Sequence, residues 1–118
     1  MRQFELRRSC RGRDIVVQAL LLPRGVNISL YGGDLPHIGA IGIVDPEGNC
    51  AVTRFPGHKE GVICEKWAAA LSAAGCRPAV VEAGIHYDGL DKTGIEDVMS
   101  ITNMLLEETL NRLAKDRQ

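Results

Sequence analysis

The sequence predicts an α+β fold, a mixed and mainly antiparallel sheet with two helices packed on one face. Two observations carry this prediction. Segments with the two-residue alternation of strands fill the first half of the chain,. Segments with helical periodicity, separated by one short apolar strand, fill the second half,. Strands followed by a helix, a strand and a helix are typical of α+β domains.

The composition is that of one globular domain over residues 1–118. The chain has 45% hydrophobic and 25% charged residues, close to the average for such domains. Its formal net charge of −1 gives no overall field that would attract nucleic acid or an anionic membrane. No apolar run approaches the ~20 residues of a transmembrane helix, and the first residues lack the apolar stretch of a secretory signal. We therefore expect a cytoplasmic protein.

Three strands are predicted in the first third of the chain. Residues 2–8 alternate weakly between apolar and polar, and residues 14–22 form an Ile-, Val- and Leu-rich run typical of a strand,. A turn containing Pro and Gly at residues 23–25 ends that run,. Residues 26–31 alternate regularly, which predicts a half-buried strand antiparallel to the preceding one.

A hairpin is predicted next, after a Gly- and Pro-containing break at residues 32–37. Residues 38–44 are apolar but rich in small side chains, which marks a strand that another backbone or a ligand approaches closely. Residues 45–49 hold Pro and Gly in positions that suit a turn,. Residues 50–55 form the returning strand.

Two helices and one more strand are predicted in the second half. The periodicity becomes helical after residue 57, which predicts a helix over residues 58–75 with Gly75 at its C-terminal cap,. Residues 78–85 have the pattern of a short buried strand,. The segment Thr93-Gly94-Ile95-Glu96 has the form of a capping box, so a second helix is predicted to open there,.

The three histidines each follow a predicted strand and lie close to glycine: His37, His58 and His86. If the strand over residues 26–31 runs upwards, it ends at the upper edge of the sheet. The hairpin over residues 38–55 then goes down and comes back up, so the chain is again at the upper edge where the first helix begins. A strand, helix, strand crossover then brings the last strand up in the same direction. All three histidines would lie at one edge of the sheet, where loops commonly carry binding groups. We predict one common site there.

The chemistry of this edge suits a planar anionic ligand. The first turn of a helix leaves backbone N–H groups unpaired at the positive end of its dipole. Gly57 allows close approach there, and His58 and Lys59 add donors and charge. The Gly32-Gly33 loop offers further backbone donors, and the small side chains of residues 39–42 leave room for a flat group against the sheet,.

Other interpretations of the same residues stay open. Glycine pairs, and Pro-Gly before a helix, often serve only turns and helix entry, and Asp34 and Asp88 could merely cap turns. The histidines and these two carboxylates could instead bind Zn²⁺ or Fe²⁺ in a metal-dependent enzyme, although the usual close pair of histidines on one element is missing. Nucleophilic catalysis has weaker support, since Cys64 falls inside a predicted helix. The four scattered cysteines fit buried reduced thiols,.

At these loops the sequence resembles the LpdD-like prenylated-flavin chaperone family. The resemblance covers most of the chain and rests on three segments in this order: residues 32–40 (GGDLPHIGA), 56–60 (PGHKE) and 84–88 (GIHYD). It implies a protein that binds reduced, oxygen-sensitive prenylated FMN and holds or delivers it to a UbiD-type decarboxylase, without catalysing decarboxylation itself. A ligand-free accessory subunit of a decarboxylase is the other role that the resemblance allows.

The predicted cofactor site combines this resemblance with the chemistry of the sheet edge. A flat, phosphate-bearing and partly apolar ligand suits it. Stacking on the flavin is restricted to Tyr31, Phe55 or Tyr87, since the chain has few aromatic residues. We expect a homodimer or higher homo-oligomer, because a site shared between copies would supply more groups. The predicted site residues are Gly32, Gly33, Asp34, His37, Gly39, Gly57, His58, Lys59, His86 and Asp88.

Overall fold

A computed structural model describes residues 2–56 and 60–116 of the chain. These residues form six strands and two helices, which are numbered in chain order. The elements are β1 (Arg2–Cys10), β2 (Arg13–Leu22), β3 (Gly25–Gly33), β4 (Ala40–Val44), β5 (Cys50–Arg54), α1 (Gly61–Ala73), β6 (Ala79–His86) and α2 (Lys92–Asp116).

The six strands form one mixed sheet in the order β1-β2-β3-β6-β4-β5. Strands β3 and β6 pair in parallel, and every other neighbouring pair is antiparallel. The pairings of β2 with β3 and of β4 with β5 confirm the two antiparallel connections predicted from the sequence. The α+β fold class is also confirmed. The position of β6, between β3 and β4, had no signal in the sequence.

The hydrophobic core lies between one face of the sheet and the two helices. Helix α1 packs on β4, β5 and β6, whereas α2 packs on β1 and β2. Each strand contributes alternate residues to this face, as the pleat requires. The largest fully buried side chains include Ile15, Val17, Ile28, Leu30 and Val81 from the sheet, and Trp67, Leu71, Leu105 and Leu113 from the helices.

Helix α1 is shorter than predicted at its start and ends as predicted. It begins at Gly61 rather than at residue 58, and residues 57–59 lie outside the described part of the chain. At its other end, Gly75 adopts φ of 81°. The Cys76 N–H donates to the Leu71 carbonyl (2.9 Å) and the Gly75 N–H to the Ser72 carbonyl (3.0 Å), which is a Schellman C-cap.

The predicted capping box at the start of α2 is wrong. The helix begins at Lys92, so Thr93 already lies inside its first turn. The cap is instead Asp91, whose Oδ1 accepts the Gly94 N–H at 2.8 Å. An aspartate that receives the N–H of the third helical residue is a regular N-cap, and the sequence interpretation started two residues too late.

The turn between β4 and β5 is organised by Asp45. Its Oδ1 accepts the N–H groups of Glu47 and Asn49, each at 2.9 Å. The hydrogen bond from the Asn49 N–H is the main reason that the pKa of the Asp45 carboxyl is lowered, because it stabilises the ionised form,. The turn predicted at residues 45–49 is therefore confirmed.

The cysteines are all in the thiol form, as predicted, but one of them is not buried. Cys10, Cys64 and Cys76 are buried, whereas Cys50 is exposed at the first position of the outermost strand β5. Burial raises the pKa of the Cys64 thiol to about 11, so this side chain is a poor nucleophile.

Within residues 2–56 and 60–116, neither helix combines the length and apolar character needed to span a bilayer.

Candidate functional site

Strands β3, β5 and β6 all end at the same edge of the sheet, where β4 begins. This follows from the pairing, since β6 is parallel to β3 and antiparallel to β4, which is itself antiparallel to β5. The loop that carries His37 and the end of β6 that carries His86 therefore lie at one edge, as the topological argument predicts. His58 lies outside the described residues, together with Gly57 and Lys59.

The loop between β3 and β4 crosses directly over the end of β6. The Asp34 N–H donates to the His86 carbonyl at 2.6 Å, and the Gly39 N–H to the Ala83 carbonyl at 2.8 Å. Between these contacts, the His37 carbonyl presses against Gly84, where a Cβ atom would overlap it. Gly33 makes the turn into the loop with φ of 84°. Glycine at these two positions is therefore what lets His37 approach β6.

A pair of polar side chains, the half-buried His37 and the buried Glu60, lies at this edge. The His37 Nε2 is 2.8 Å from Glu60 Oε1, and the His37 Nδ1 is 2.9 Å from the Leu35 carbonyl. Glu60, which directly precedes α1, is only 6% exposed. Its Oε1 also accepts the Ile85 N–H at 3.3 Å. Within the described residues its Oε2 has no hydrogen-bond partner.

His86 belongs to a second and more exposed polar cluster. Its Nε2 lies 2.9 Å from Asp88 Oδ1, and its side chain is 47% exposed. Asp34 Oδ2 accepts the Asp88 N–H at 3.0 Å, and its Oδ1 accepts from Arg13 Nε at 3.2 Å. The Asp88 N–H is the main reason that the pKa of Asp34 is lowered. Asp34 therefore has the turn-stabilising role that was the alternative interpretation.

A cavity of about 430 Å³ opens between the edge of the sheet and the starts of the two helices. Its walls are mainly apolar, and its polar side chains are His37, Glu60 and His86. The other residues that line it are Val62, Ile63, Ile85, Tyr87, Leu90, Ile95, Val98 and Met99. The cavity volume falls within the range of small-molecule sites, which are about 300–1,000 Å³.

The predicted site residues divide into three groups. His37 and His86 line this cavity, whereas the described residues Gly32, Gly33, Asp34, Gly39 and Asp88 shape or connect the loops beside it. Gly57, His58 and Lys59 lie outside the described residues. Of the three aromatic residues expected at this edge, Tyr87 lines the cavity. It is 7% exposed and its hydroxyl donates to the Arg13 carbonyl.

Sequence reasoning missed Glu60 and most of the apolar wall. Glu60 closes one of the three quoted segments, but nothing in the sequence shows that a charged residue there is buried. Ile95, which is 51% exposed, was named only as part of the predicted capping box, and the structure places it in the cavity lining. The apolar residues at the start of α2 were a possible signal in the sequence, because they lie close to the segment that carries His86. Apolar residues that stay exposed on a folded protein often mark a binding site.

The metal-dependent alternative gains no support from the structure. Within residues 2–56 and 60–116, no three His, Cys, Asp or Glu side chains are grouped so that they could hold an ion. His37 and His86 are each paired with a different carboxylate.

One comparison with known proteins found a match. A family model described as the prenylated flavin chaperone LpdD-like domain matches residues 9–114. No curated protein matches the chain. The matched range includes the cavity lining and both polar clusters.

Proposed function

Because this chain belongs to the prenylated flavin chaperone LpdD-like family, we propose that it binds reduced prenylated FMN at the sheet edge. In this proposal it supplies the cofactor to a UbiD-type decarboxylase and does not catalyse decarboxylation itself. The observation that carries the proposal is the mainly apolar cavity of about 430 Å³ at the sheet edge, which the buried residue Glu60 helps to line.

The walls of the cavity suit the tricyclic ring and the hydrocarbon addition of a prenylated flavin. Val62 and Ile63 of α1 face the same space as Val98 and Met99 of α2. Burying a flat apolar ring between them removes apolar surface from water. Tyr87 adds an aromatic side chain to this wall. Such walls also keep water away from the bound ring, as a carrier of an oxygen-sensitive cofactor requires.

The phosphate needs different partners from the ring. Among the described residues, the polar side chains of the lining are two imidazoles and one carboxylate, which do not make a phosphate site. We assign the phosphate to Gly57, His58 and Lys59, which directly precede Glu60 in the chain. Gly32, Gly33, Asp34, Gly39 and Asp88 then hold the loops that frame the cavity.

Anaerobic titration of the protein with reduced prenylated FMN tests the binding, followed by absorbance and by thermal unfolding. We expect saturable binding and stabilisation of the fold by about 2.7 kcal/mol at about 100 times the Kd. The absence of binding at micromolar ligand would overturn the proposal.

Transfer to a client separates a carrier from a ligand-free accessory subunit. Loaded protein is mixed anaerobically with a UbiD-type decarboxylase lacking its cofactor, and the cofactor bound to each protein is measured after separation. A carrier loses its ligand to the decarboxylase. An accessory subunit would stimulate the decarboxylase without ever having bound the ligand.

Replacing His58 by alanine tests the phosphate assignment. We expect His58→Ala to weaken ligand binding on the order of tenfold, as loss of a hydrogen bond to a charged group does, with the melting temperature nearly unchanged. Arg24→Ala is the matched control, because Arg24 is an exposed cation in the turn at the opposite edge of the sheet. A large loss of stability in His58→Ala would instead assign the histidine a structural role.

The cytoplasmic location and the homo-oligomeric state stay predictions from the sequence. Light scattering, with and without ligand, measures the molar mass in solution and so tests the homo-oligomeric state.

A further inference from the structure

Strand β1 forms a long outer edge of the sheet. Within the part of the chain that the structure describes, it pairs only with β2. It has nine residues, whereas β5 at the other edge has five. Short strands, Pro and bulges commonly protect an outer edge from pairing with another chain. β1 contains no Pro, and its register with β2 is continuous from Arg2 to Cys10, so only its charged side chains decide which partner fits.

The turn between β1 and β2 determines which backbone groups of β1 face outwards. Arg11 and Gly12 form a two-residue turn with φ of 53° and 82°, which Cys10 and Arg13 close. In such a turn the closing residues exchange hydrogen bonds, and hydrogen-bonded pairs then alternate along the antiparallel ladder. The N–H and C=O groups that point away from β2 therefore belong to Gln3, Glu5, Arg7 and Ser9.

These four residues also place their side chains on the face of the sheet that the helices leave open. All four are exposed, whereas Phe4 and Cys10, on the other face of the strand, are buried. Glu5 and Arg7 carry opposite charges one pleat apart, on either side of Leu6. A strand with this pattern is complementary in charge to a second copy of itself that runs in the opposite direction.

We propose that two copies of the chain pair through β1, antiparallel and centred on Leu6, so that one sheet continues through both copies. Glu5 of each copy then lies opposite Arg7 of the other copy, and Gln3 lies opposite Ser9. Leu6 is the middle residue of the strand, so all nine residues take part. The outward backbone groups of the two strands meet as hydrogen-bonded pairs.

Charge excludes the neighbouring registers. A pair centred on Glu5 would place two carboxylates opposite each other, and a pair centred on Arg7 would place two guanidinium groups opposite each other. Like charges in direct cross-strand positions destabilise the pairing. A shift of the register by a single residue would place outward backbone groups opposite groups already bonded to β2.

This dimer leaves each ligand cavity complete within its own copy. Within the described residues, β1 contributes nothing to the lining of the cavity at the sheet edge. The inference therefore goes beyond the proposed function and does not depend on it. Variants that lose the dimer should still bind reduced prenylated FMN as the wild type does.

Charge reversal tests the pairing, with light scattering and sedimentation as the measurements. The wild type should have twice the 12.8 kDa of one chain at high micromolar concentration. Glu5→Arg and Arg7→Glu each place like charges opposite each other, and we expect either to raise the dissociation constant of the dimer on the order of tenfold or more. Arg24→Glu and Glu47→Arg are the matched controls, because they reverse the same charges at exposed positions in turns.

Two combinations restore the complementary charges. A chain with both Glu5→Arg and Arg7→Glu should dimerise as the wild type does. A mixture of the two single variants should form dimers of unlike chains, while thermal unfolding checks that each variant is folded. A monomeric wild type, single variants that dimerise like the wild type, or a mixture that stays monomeric would each overturn the inference.

A cysteine cross-link tests the register without changing a charge. The two Leu6 residues would face each other as a non-hydrogen-bonded pair with Cα atoms about 4.5 Å apart, a distance that a disulfide spans. Leu6→Cys should form a covalent dimer on mild oxidation, in a Cys50→Ser background because Cys50 is exposed. Ser9→Cys in the same background should not, since Gln3 lies opposite Ser9. Cross-linking that does not favour Leu6→Cys contradicts the proposed register.

Discussion

At the scale of single residues, the site depends on one buried polar side chain and one missing side chain. Glu60 supplies the carboxylate that pairs with His37, and Gly84 supplies the space that brings the His37 loop onto β6. Neither residue has a functional signature of its own in the sequence. Their roles arise from what surrounds them, because a glutamate matters here only through burial and a glycine only through the atom it lacks.

Replacing Gly84 by alanine should damage both the fold and the site. The added Cβ would overlap the His37 carbonyl, so the loop must move and carry His37 away from Glu60. We expect a loss of about 1–3 kcal/mol in the free energy of unfolding, typical of overpacking, together with weaker binding of reduced prenylated FMN. Chemical denaturation and titration measure the two effects.

Gly42→Ala is the comparison for this variant, because it adds the same atom to a neighbouring strand. Its Cβ would meet a Val81 methyl group at 3.0 Å and the Cys64 carbonyl at 3.1 Å, far from the His37 loop. We expect a smaller loss of stability and unchanged binding. If both variants bind the ligand normally, Gly84 does not position His37.

At the scale of elements, the end of α1 and the start of α2 are each fixed by a cap, and the sequence prediction is right for the first and wrong for the second. The Schellman motif at Gly75 ends α1 as predicted. At the start of α2, Asp91 and Thr93 are both residue types that cap helices, and local sequence alone does not choose between them. In the structure the cap is Asp91, and the first residue of α2 is Lys92.

Removing each candidate cap in turn tests this assignment. Asp91→Ala should lower the free energy of unfolding by about 1 kcal/mol, since the Gly94 N–H loses its acceptor,. Thr93→Ala should leave stability nearly unchanged or slightly raise it, because alanine is the better helix former inside a helix. Thermal or chemical unfolding measures both variants. A larger loss of stability in Thr93→Ala than in Asp91→Ala would show that Thr93, and not Asp91, is the cap.

At the scale of the whole molecule, the decisive step is the insertion of β6 between β3 and β4. It places the end of β6 under the loop from β3 and beside the starts of both helices. Asp34 joins three separate segments at this point, through its contacts with Arg13 and with the Asp88 backbone. The contacts of Asp34 with Arg13 and Asp88 form a junction that both stabilises the fold and holds the loops beside the cavity.

This junction should make stability depend on pH in the acid range. The pKa of Asp34 lies below its ordinary value of 3.8 in the folded protein, so folding favours the carboxylate. The contribution of Asp34 to the free energy of unfolding is complete when the pH is above the ordinary pKa. It is lost as the pH falls through the lower pKa that Asp34 has in the folded protein. We expect Asp34→Asn to reduce the acid-induced loss of stability below about pH 4, an effect that salt weakens because the group is exposed. Unfolding curves at several pH values measure it, and an unchanged pH dependence would contradict the prediction.

The sequence by itself determined the fold class, the strand hairpins, the end of α1 and the placement of two histidine loops at one edge. These features depend on periodicity, turn residues and the handedness of crossovers, all of which are local or follow from simple chain geometry. The family also followed from short segments in fixed order, and the match over residues 9–114 confirms it.

Only the tertiary structure decided the strand order, the burial of Glu60 and the cavity beside it. Which strands become neighbours depends on how the whole sheet covers its core, and no local pattern encodes that choice. Burial likewise belongs to the packed molecule, since the same carboxylate would be fully hydrated in an open loop. Glu60 helps to line the cavity because β6 and the His37 loop close over it, and packing of that kind is visible only when distant segments meet.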